Sequence, residues 1–341
     1  AAAAVGARNP LLTESAKASS EMSEWSGWGA LEIDAAELKY DEARDFLGKG
    51  SFGKVYSARC RGKEVAVKVP TKQVLSDKQL ADFRREVLTL SQIFHPNVVL
   101  FMGACTQPGT FAIITELMYT DLERLLRSPK ELSMVQRVKM AKDASLGVNW
   151  LHGISNIIHR DLKPANLLVD AALTVKLTDF GFAQLRPAAD DEPLTDGKGG
   201  AKGTPLWMAP EVMMGQPFSE KVDVYAFGII LWQLLTRQEP FAHHRNLKKF
   251  RIAVVKRNER PPLPPDVLPA LSALITACWH GDADARPSFK HIVAALDDVV
   301  VDYAVHDAAA AAFWRRSFAA DGLRTEVPWD EFVRALAAKS W

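Results

Sequence analysis

The feature that most constrains this chain is the order of five short motifs along its 341 residues. Gly48-Lys49-Gly50-Ser51-Phe52-Gly53-Lys54-Val55 comes first, followed by Val65-Ala66-Val67-Lys68. His159-Arg160-Asp161-Leu162-Lys163-Pro164-Ala165-Asn166 and Asp179-Phe180-Gly181 come next, and Ala209-Pro210-Glu211 closes the set. A given tripeptide arises by chance in roughly one chain in twenty of this length, so any single motif is weak. The fixed order is what carries weight.

The pattern between the motifs changes character once. Residues 1 to 36 are rich in Ala, Ser and Glu without a sustained period, which predicts a mostly disordered leader, with Trp25 and Trp28 at most loosely packed. From Leu38 to Val69 the sequence alternates with glycine punctuation, as short strands and tight turns do. Val65, Val67 and Val69 share one face there, and Ala66 and Lys68 the other. Ser76 and Gln79 make a capping box for a helix whose apolar stripe is Phe83, Val87 and Leu90, with Glu86 on the neighbouring face. Strand-like runs recur at Val98 to Met102 and Phe111 to Glu116. After Leu117 the period is helical, and Ser133 with Gln136 opens a helix running to about His152. A strand-rich part followed by a helical part predicts an α+β fold. Pro261 to Pro265 reads as a polyproline-like connector.

Composition excludes several classes. The formal net charge of +1 makes no electrostatic case for nucleic acid or anionic membrane. No segment reaches the ~18 apolar residues of a membrane span. Cys60, Cys105 and Cys278 lack metal-ligand spacing and read as buried, reduced thiols of a cytoplasmic protein. The Ala1 to Ala4 run does not read as a signal peptide, and without an initiating Met the chain reads as a fragment of a longer product.

The motif series resembles the eukaryotic protein kinase signature set. It is not a P-loop, because the glycine segment continues into Val55 rather than into a helix carrying Lys-Ser/Thr. A dinucleotide-binding turn is excluded by the missing helix start and ribose-reading acid. The resemblance covers about residues 40 to 300 and implies a bilobal kinase fold at 37–300, with one regulatory helix in a strand-rich lobe and a helical second lobe. Residues 301–341 would then be a helical linker cut off before a further domain, with Phe313, Trp314, Phe318, Trp329, Phe332, Val333 and Leu336 on its apolar faces.

What the resemblance implies for chemistry is ATP-dependent phosphoryl transfer with Mg²⁺, in which the protein supplies positioning and electrostatics. Gly48, Gly50 and Gly53, with Lys49, Ser51 and Phe52, would lay a hairpin backbone over the phosphates. Lys68 would meet the α- and β-phosphates, held by an ion pair with Glu86. Leu47, Val55, the small Ala66 and Leu168 would complete the nucleotide site beside a gatekeeper Thr115. Glu116 and Met118 would offer backbone groups to adenine, and Asp121 would face the ribose. Asp161 is the expected catalytic base, Lys163 the γ-phosphate cation, and Asn166 and Asp179 the metal ligands. His159 is expected to stack in an apolar column with Phe180, Phe101 and Leu90 rather than to move a proton. Glu211 with Arg286, and Asp223 beneath the catalytic loop, are expected to be structural. Between Asp179 and Glu211 the only hydroxyl side chains are Thr195 and Thr204. Thr204 belongs to the substrate platform, which leaves Thr195 as the regulatory phosphorylation candidate. Arg160 is expected to lack a partner until a phosphate, or the Asp190-Asp191-Glu192 run, supplies one.

Lys163 and Gly203-Thr204-Pro205-Leu206-Trp207-Met208 look like the serine/threonine pattern, with dual specificity open. His95-Pro96-Asn97-Val98-Val99-Leu100-Phe101-Met102-Gly103 is similar to the tyrosine-kinase-like group of Raf and mixed-lineage kinases. Within it, Ala141-Lys142-Asp143-Ala144, Asn149-Trp150-Leu151-His152, Pro205 to Met214 and Val327-Pro328-Trp329-Asp330-Glu331-Phe332 resemble amoebozoan Src-homology-2-domain kinases. Protein substrates, and phosphotyrosine-containing partners reached through a domain outside this chain, follow from that likeness. Two alternatives stay open: a pseudokinase scaffold and a tyrosine-specific kinase.

Overall fold

The computed structural model describes residues 31–50, 53–187, 194–196, 203–306, 308 and 312. The described residues form two compact units, one made of residues up to Leu80 with Phe101–Glu116, the other of Ala81–Leu100 with those from Leu117 onward.

The first unit is an antiparallel sheet. Its strands β1 (Phe46–Lys49), β2 (Gly53–Cys60), β3 (Lys63–Pro70), β4 (Phe101–Cys105) and β5 (Ala112–Glu116) lie in the order β1-β2-β3-β5-β4. The alternation read from sequence holds in β3, where Val65 and Val67 are fully buried while Ala66 and Lys68 face the other way. Val65, Val67, Ala58, Cys60, Cys105, Ala112 and Ile114 pack into one core cluster, which Ile33 joins. Residues 31–36 therefore depart from the disordered-leader expectation. The Ile33 N–H donates to the Ala104 carbonyl at 2.9 Å, and the Ala104 N–H to the Leu31 carbonyl at 3.0 Å. Burying Ile33 and pairing that backbone stabilises a segment whose sequence has no period to announce it. Trp25 and Trp28 lie outside the described residues.

Strand β4 starts at Phe101, later than the expected run from Val98. Val98 and Val99 pair elsewhere: the Val99 N–H donates to the Leu177 carbonyl at 2.9 Å in the second unit. The capping box at Ser76 is present, with the Ser76 N–H on Gln79 Oε1 at 3.0 Å, and it opens α1 (Asp77–Gln92). Phe83, Glu86, Val87 and Leu90 form the buried face of that helix.

The second unit is mainly helical. A short strand β6 (Thr120–Asp121) leads into α2 (Leu122–Arg127) and then α3 (Met134–Gly153), which carries the expected Ser133/Gln136 capping box. Small strands β7 (Ile157–Ile158), β8 (Leu167–Val169), β9 (Val175–Leu177) and β10 (Gln184–Leu185) frame the motif loops, with sheet orders β6-β8-β9 and β10-β7. Helices α4 (Pro210–Met214), α5 (Lys221–Thr236), α6 (Leu247–Lys256), α7 (Pro269–Cys278) and α8 (Phe289–His306) complete the unit.

Helix α5 is buried on every side from Val222 to Leu234, as a helix apolar all round must be. Its one acidic residue inside that stretch, Asp223, is correspondingly costly and is fully partnered below. The Arg286 guanidinium, completely buried, forms a bidentate pair with Glu211 at 2.7 and 2.9 Å. Helix α8 runs through residue 300 without a break, so the expected domain boundary does not coincide with a helix end. The amphipathic faces at Phe313–Phe318 and Trp329–Leu336 lie outside the described residues.

Candidate active site

The glycine hairpin is a true β-hairpin of the first unit. Gly48 faces Val55 and Lys49 faces Lys54 across β1 and β2, and the Gly50 N–H closes the turn on the Gly53 carbonyl at 2.8 Å. Ser51 and Phe52 at its tip lie outside the described residues. Gly53 must be glycine for a reason the sequence did not supply. A Cβ there would sit 1.9 Å from the Val69 carbonyl oxygen, so only glycine lets β2 lie against β3. A Cβ at Gly50, in contrast, would lie 3.9 Å from Lys68 Cε, which places the turn directly over the lysine. Ala66 and Thr115 are Cα partners across β3 and β5, so these two residues share one face of the sheet. Leu47 on β1 and Glu116 at the end of β5 belong to the same sheet.

The second unit gathers the remaining chemistry around Asp161. Three side chains donate to its carboxylate: Lys163 Nζ at 2.6 Å and Asn166 Nδ2 at 3.0 Å, both on Oδ2, and Thr204 Oγ1 at 2.8 Å on Oδ1. Lys163 Nζ also donates to Thr204 Oγ1 at 2.7 Å, closing a ring of three residues. A carboxylate has about four acceptor positions, so one is left, on Oδ1 beside Thr204. That is where a hydroxyl proton would be received.

The loop is held from below. Asp223 accepts the His159 N–H on Oδ2 and the Arg160 N–H on Oδ1, each at 2.8 Å, and bonds His152 Nε2 at 2.8 Å. Burial alone raises such a carboxyl; the bond to His152, the charges of His152 and His159 and the Arg160 N–H outweigh it and hold Asp223 below the ordinary carboxylate range. His159 is structural, as expected. Its Nε2 bonds the Thr178 carbonyl at 3.0 Å, an acceptor only, while Nδ1 receives the Asp161 N–H at 3.4 Å. Those partners orient the ring, which packs 5.1 Å from Phe180.

Asn166 commits its amide nitrogen to Asp161, leaving Oδ1 as the atom able to ligate a cation. Asp179 sits at φ 63°, a left-handed conformation rare outside glycine and characteristic of functional turns. Carboxylate oxygens of Asp179 and Glu86 lie 3.5 and 3.9 Å from the position of a Cβ on Gly181, so α1 brings Glu86 to this turn. One carbonyl and one carboxylate suit a hard divalent cation such as Mg²⁺.

Leu168 and Asp121 are Cα partners across β8 and β6. Asp121 has another task besides any ribose contact. It caps α2 through the Arg124 N–H at 2.8 Å and pairs with the Arg124 guanidinium at 3.2 Å. Met118 lies half-buried between β5 and β6.

Arg160 departs most from expectation. It is not without a partner: its guanidinium pairs with Asp196, both side chains almost fully buried, and stacks 4.5 Å from the Phe218 ring. Thr195, next to Asp196, is exposed. Asp190, Asp191 and Glu192 lie outside the described residues. Gly203, at φ 118°, passes close to the Arg160 carbonyl, and Thr204, Trp207 and Met208 line a pocket beside Asp161. All three cysteines are buried, and burial pushes each thiol up, Cys105 to about 12, which removes them as nucleophiles.

A family model described as protein tyrosine and serine/threonine kinase matches residues 42–296. The dual specificity protein kinase shkD of Dictyostelium discoideum is 53% identical over 299 residues, covering 86% of this chain and 40% of the relative. The dual specificity protein kinase shkC of the same organism is 49% identical, covering 90% of this chain and 60% of the relative. The serine/threonine-protein kinase CTR1 of Arabidopsis thaliana is 40% identical over 75% of this chain and 31% of its own length. The chain thus spans 40% to 60% of the length of these two Dictyostelium relatives.

Proposed function

The chain belongs to the protein tyrosine and serine/threonine kinase family, and from that premise we propose that it transfers the γ-phosphoryl group of ATP to serine and threonine hydroxyls of protein substrates. The observation that carries this reading is the ring of Asp161, Lys163 and Thr204 with Asn166. Oδ1 of Asp161 takes the proton of the acceptor hydroxyl as its oxygen bonds the γ-phosphorus and the bond to ADP breaks. Lys163 offsets charge on the transferred group, and Thr204 keeps both side chains in register. Lys68, beneath the glycine turn, holds the α- and β-phosphates. Asn166 and Asp179 hold Mg²⁺, which when bound supplies charge neutralisation at the phosphates. The adenine lies against Val55 and Ala66 of the first unit.

Tyrosine is a second acceptor in this proposal, supported by relatives named dual specificity kinases. Among the described residues no helix is long and apolar enough to cross a membrane. We place the protein in the cytoplasm on the strength of its buried, unpaired cysteines. Phosphotyrosine-containing partners, reached through a domain outside this chain, belong to the same proposal.

The test is direct. Mg-ATP should raise the melting temperature, and labelled phosphate should reach a generic acceptor protein, with phosphoamino-acid analysis reporting the residue type. Thermal stabilisation without any transfer would make the chain a pseudokinase scaffold. Phosphotyrosine as the sole product would make it tyrosine-specific.

A further inference from the structure

His243, His244 and Glu259 converge on the surface of the second unit, their ligand-type atoms all within 4.8 Å of one another. Both imidazoles bond the same oxygen, Glu259 Oε1, through Nε2 at 2.8 and 2.7 Å. The rings lie 4.1 Å apart at 44°. Side chains adjacent in an extended chain point to opposite sides, so two neighbouring histidines aimed at one atom require a special backbone. Phe241 supplies part of it at φ 55°, a conformation a bulky residue seldom adopts, and Asn258, just before Glu259, lies at φ 51°.

The groups are held in place before any ligand arrives. The His244 N–H donates to the Phe241 carbonyl at 2.9 Å, and its ring packs 5.9 Å from the buried Phe250 of α6. The Glu259 N–H donates to Ala253 of the same helix at 3.1 Å. The histidines precede α6 and the carboxylate follows it, so one ion would clip together the two segments that flank that helix.

We infer that His243, His244 and Glu259 form a binding site for a borderline divalent cation, Zn²⁺ being the best match. Two imidazole nitrogens and one carboxylate oxygen are the ligand set that suits zinc, whereas calcium and magnesium prefer oxygen alone. Tetrahedral zinc holds such atoms about 3.3 Å apart, given metal–ligand bonds of about 2.0–2.1 Å. The observed separations of 2.7 and 2.8 Å to Oε1 need only a small opening. Water takes the fourth position. The ion takes the place of the two N–H protons that now converge on Oε1: each neutral imidazole ligates through Nε2 and carries its proton on Nδ1 instead, and no redox step is involved.

Titrating the full chain with Zn²⁺ alone at pH 7.5, by calorimetry and by melting temperature, tests this. One saturable equivalent and a rise in melting temperature are expected. Co²⁺ in place of Zn²⁺ should give the visible absorption of a tetrahedral nitrogen–oxygen site. His244→Asn and Glu259→Gln should each weaken binding at least about tenfold, and His291→Asn, outside the cluster, should leave it unchanged. His243→Asn, at an exposed position, serves if either of the first two fails to fold. Absence of a saturable equivalent in the wild type, or binding that the folded cluster variants retain in full, overturns the inference.

Discussion

Arg160, which directly precedes the catalytic-loop aspartate, is already neutralised by Asp196, with the two side chains only 3% and 4% exposed. A pair this buried costs little when intact and a great deal when halved, because one charge is then left without water or partner. The partner comes from the segment that also presents Thr195, so the pair fastens that segment to the loop carrying Asp161.

Activity should therefore depend on Asp196 and not on phosphate at Thr195. Asp196→Asn should destabilise the chain by about 3–5 kcal/mol if the guanidinium stays buried, or by less if the segment lets go, and lower the transfer rate either way. Thr195→Ala, phosphatase-treated wild type and untreated wild type should show equal initial rates. A phosphate at Thr195 would have to displace Asp196 from Arg160, so faster transfer by the phosphorylated form would show that the exchange occurs.

Thr204 bridges Asp161 and Lys163. Its hydroxyl donates to Asp161 Oδ1 at 2.8 Å and accepts from Lys163 Nζ at 2.7 Å. Thr204→Val keeps the shape and removes both bonds, leaving the direct Lys163–Asp161 pair without the hydroxyl that fixes its orientation. The expected result is a kcat lowered by about 10²–10³, with KM for ATP unchanged and Thr204→Ser close to wild type. A raised KM with unaltered kcat would assign Thr204 to nucleotide binding instead.

Asp223 should impose a pH dependence on stability. Its folded-state carboxyl is held below the ordinary value despite burial, chiefly by His152. A depressed carboxyl stabilises the fold fully above its unfolded value, and that contribution is lost as pH falls through the folded one. Asp223→Asn should cost about 1–3 kcal/mol near neutrality, since an amide cannot accept both loop N–H groups as well as a carboxylate. The gap in melting temperature between the two proteins should be widest above about pH 5 and close in acid. A gap that persists unchanged into acid would remove the ionised form from the account.

These residues differ in how visible they were beforehand. The helix starts at Ser76 and Ser133 were legible because a capping box lies within four consecutive residues. Asp161, Asn166, Asp179 and Lys68 were expected because phosphoryl transfer demands those types in that order, and the fold brings Asn166 onto Asp161. Asp196 was not, since no spacing rule ties it to Arg160, 36 residues away. The strand expected from Val98 began three residues late because Val99 pairs with Leu177, a partner chosen by tertiary structure. Gly53 read as a phosphate-loop glycine, and the Val69 carbonyl of the next strand adds a constraint no local pattern announces. Local rules survive into the fold. Long-range partners have to be seen.

Thr115 offers a test of the nucleotide site that leaves catalysis intact. It stands beside Ala66 across β3 and β5, so two small side chains adjoin where a flat base would lie. Thr115→Met adds bulk at that face and should exclude inhibitors that reach behind the adenine, while KM for ATP changes little. Stability should also change little, because Thr115 is only half-buried at the end of its strand. Inhibitor affinity measured on the two proteins decides the point. If compounds with a group projecting behind adenine bind the Met variant as tightly as wild type, then Thr115 does not border that space, and the assignment of Glu116 and Met118 to the adenine edge falls with it.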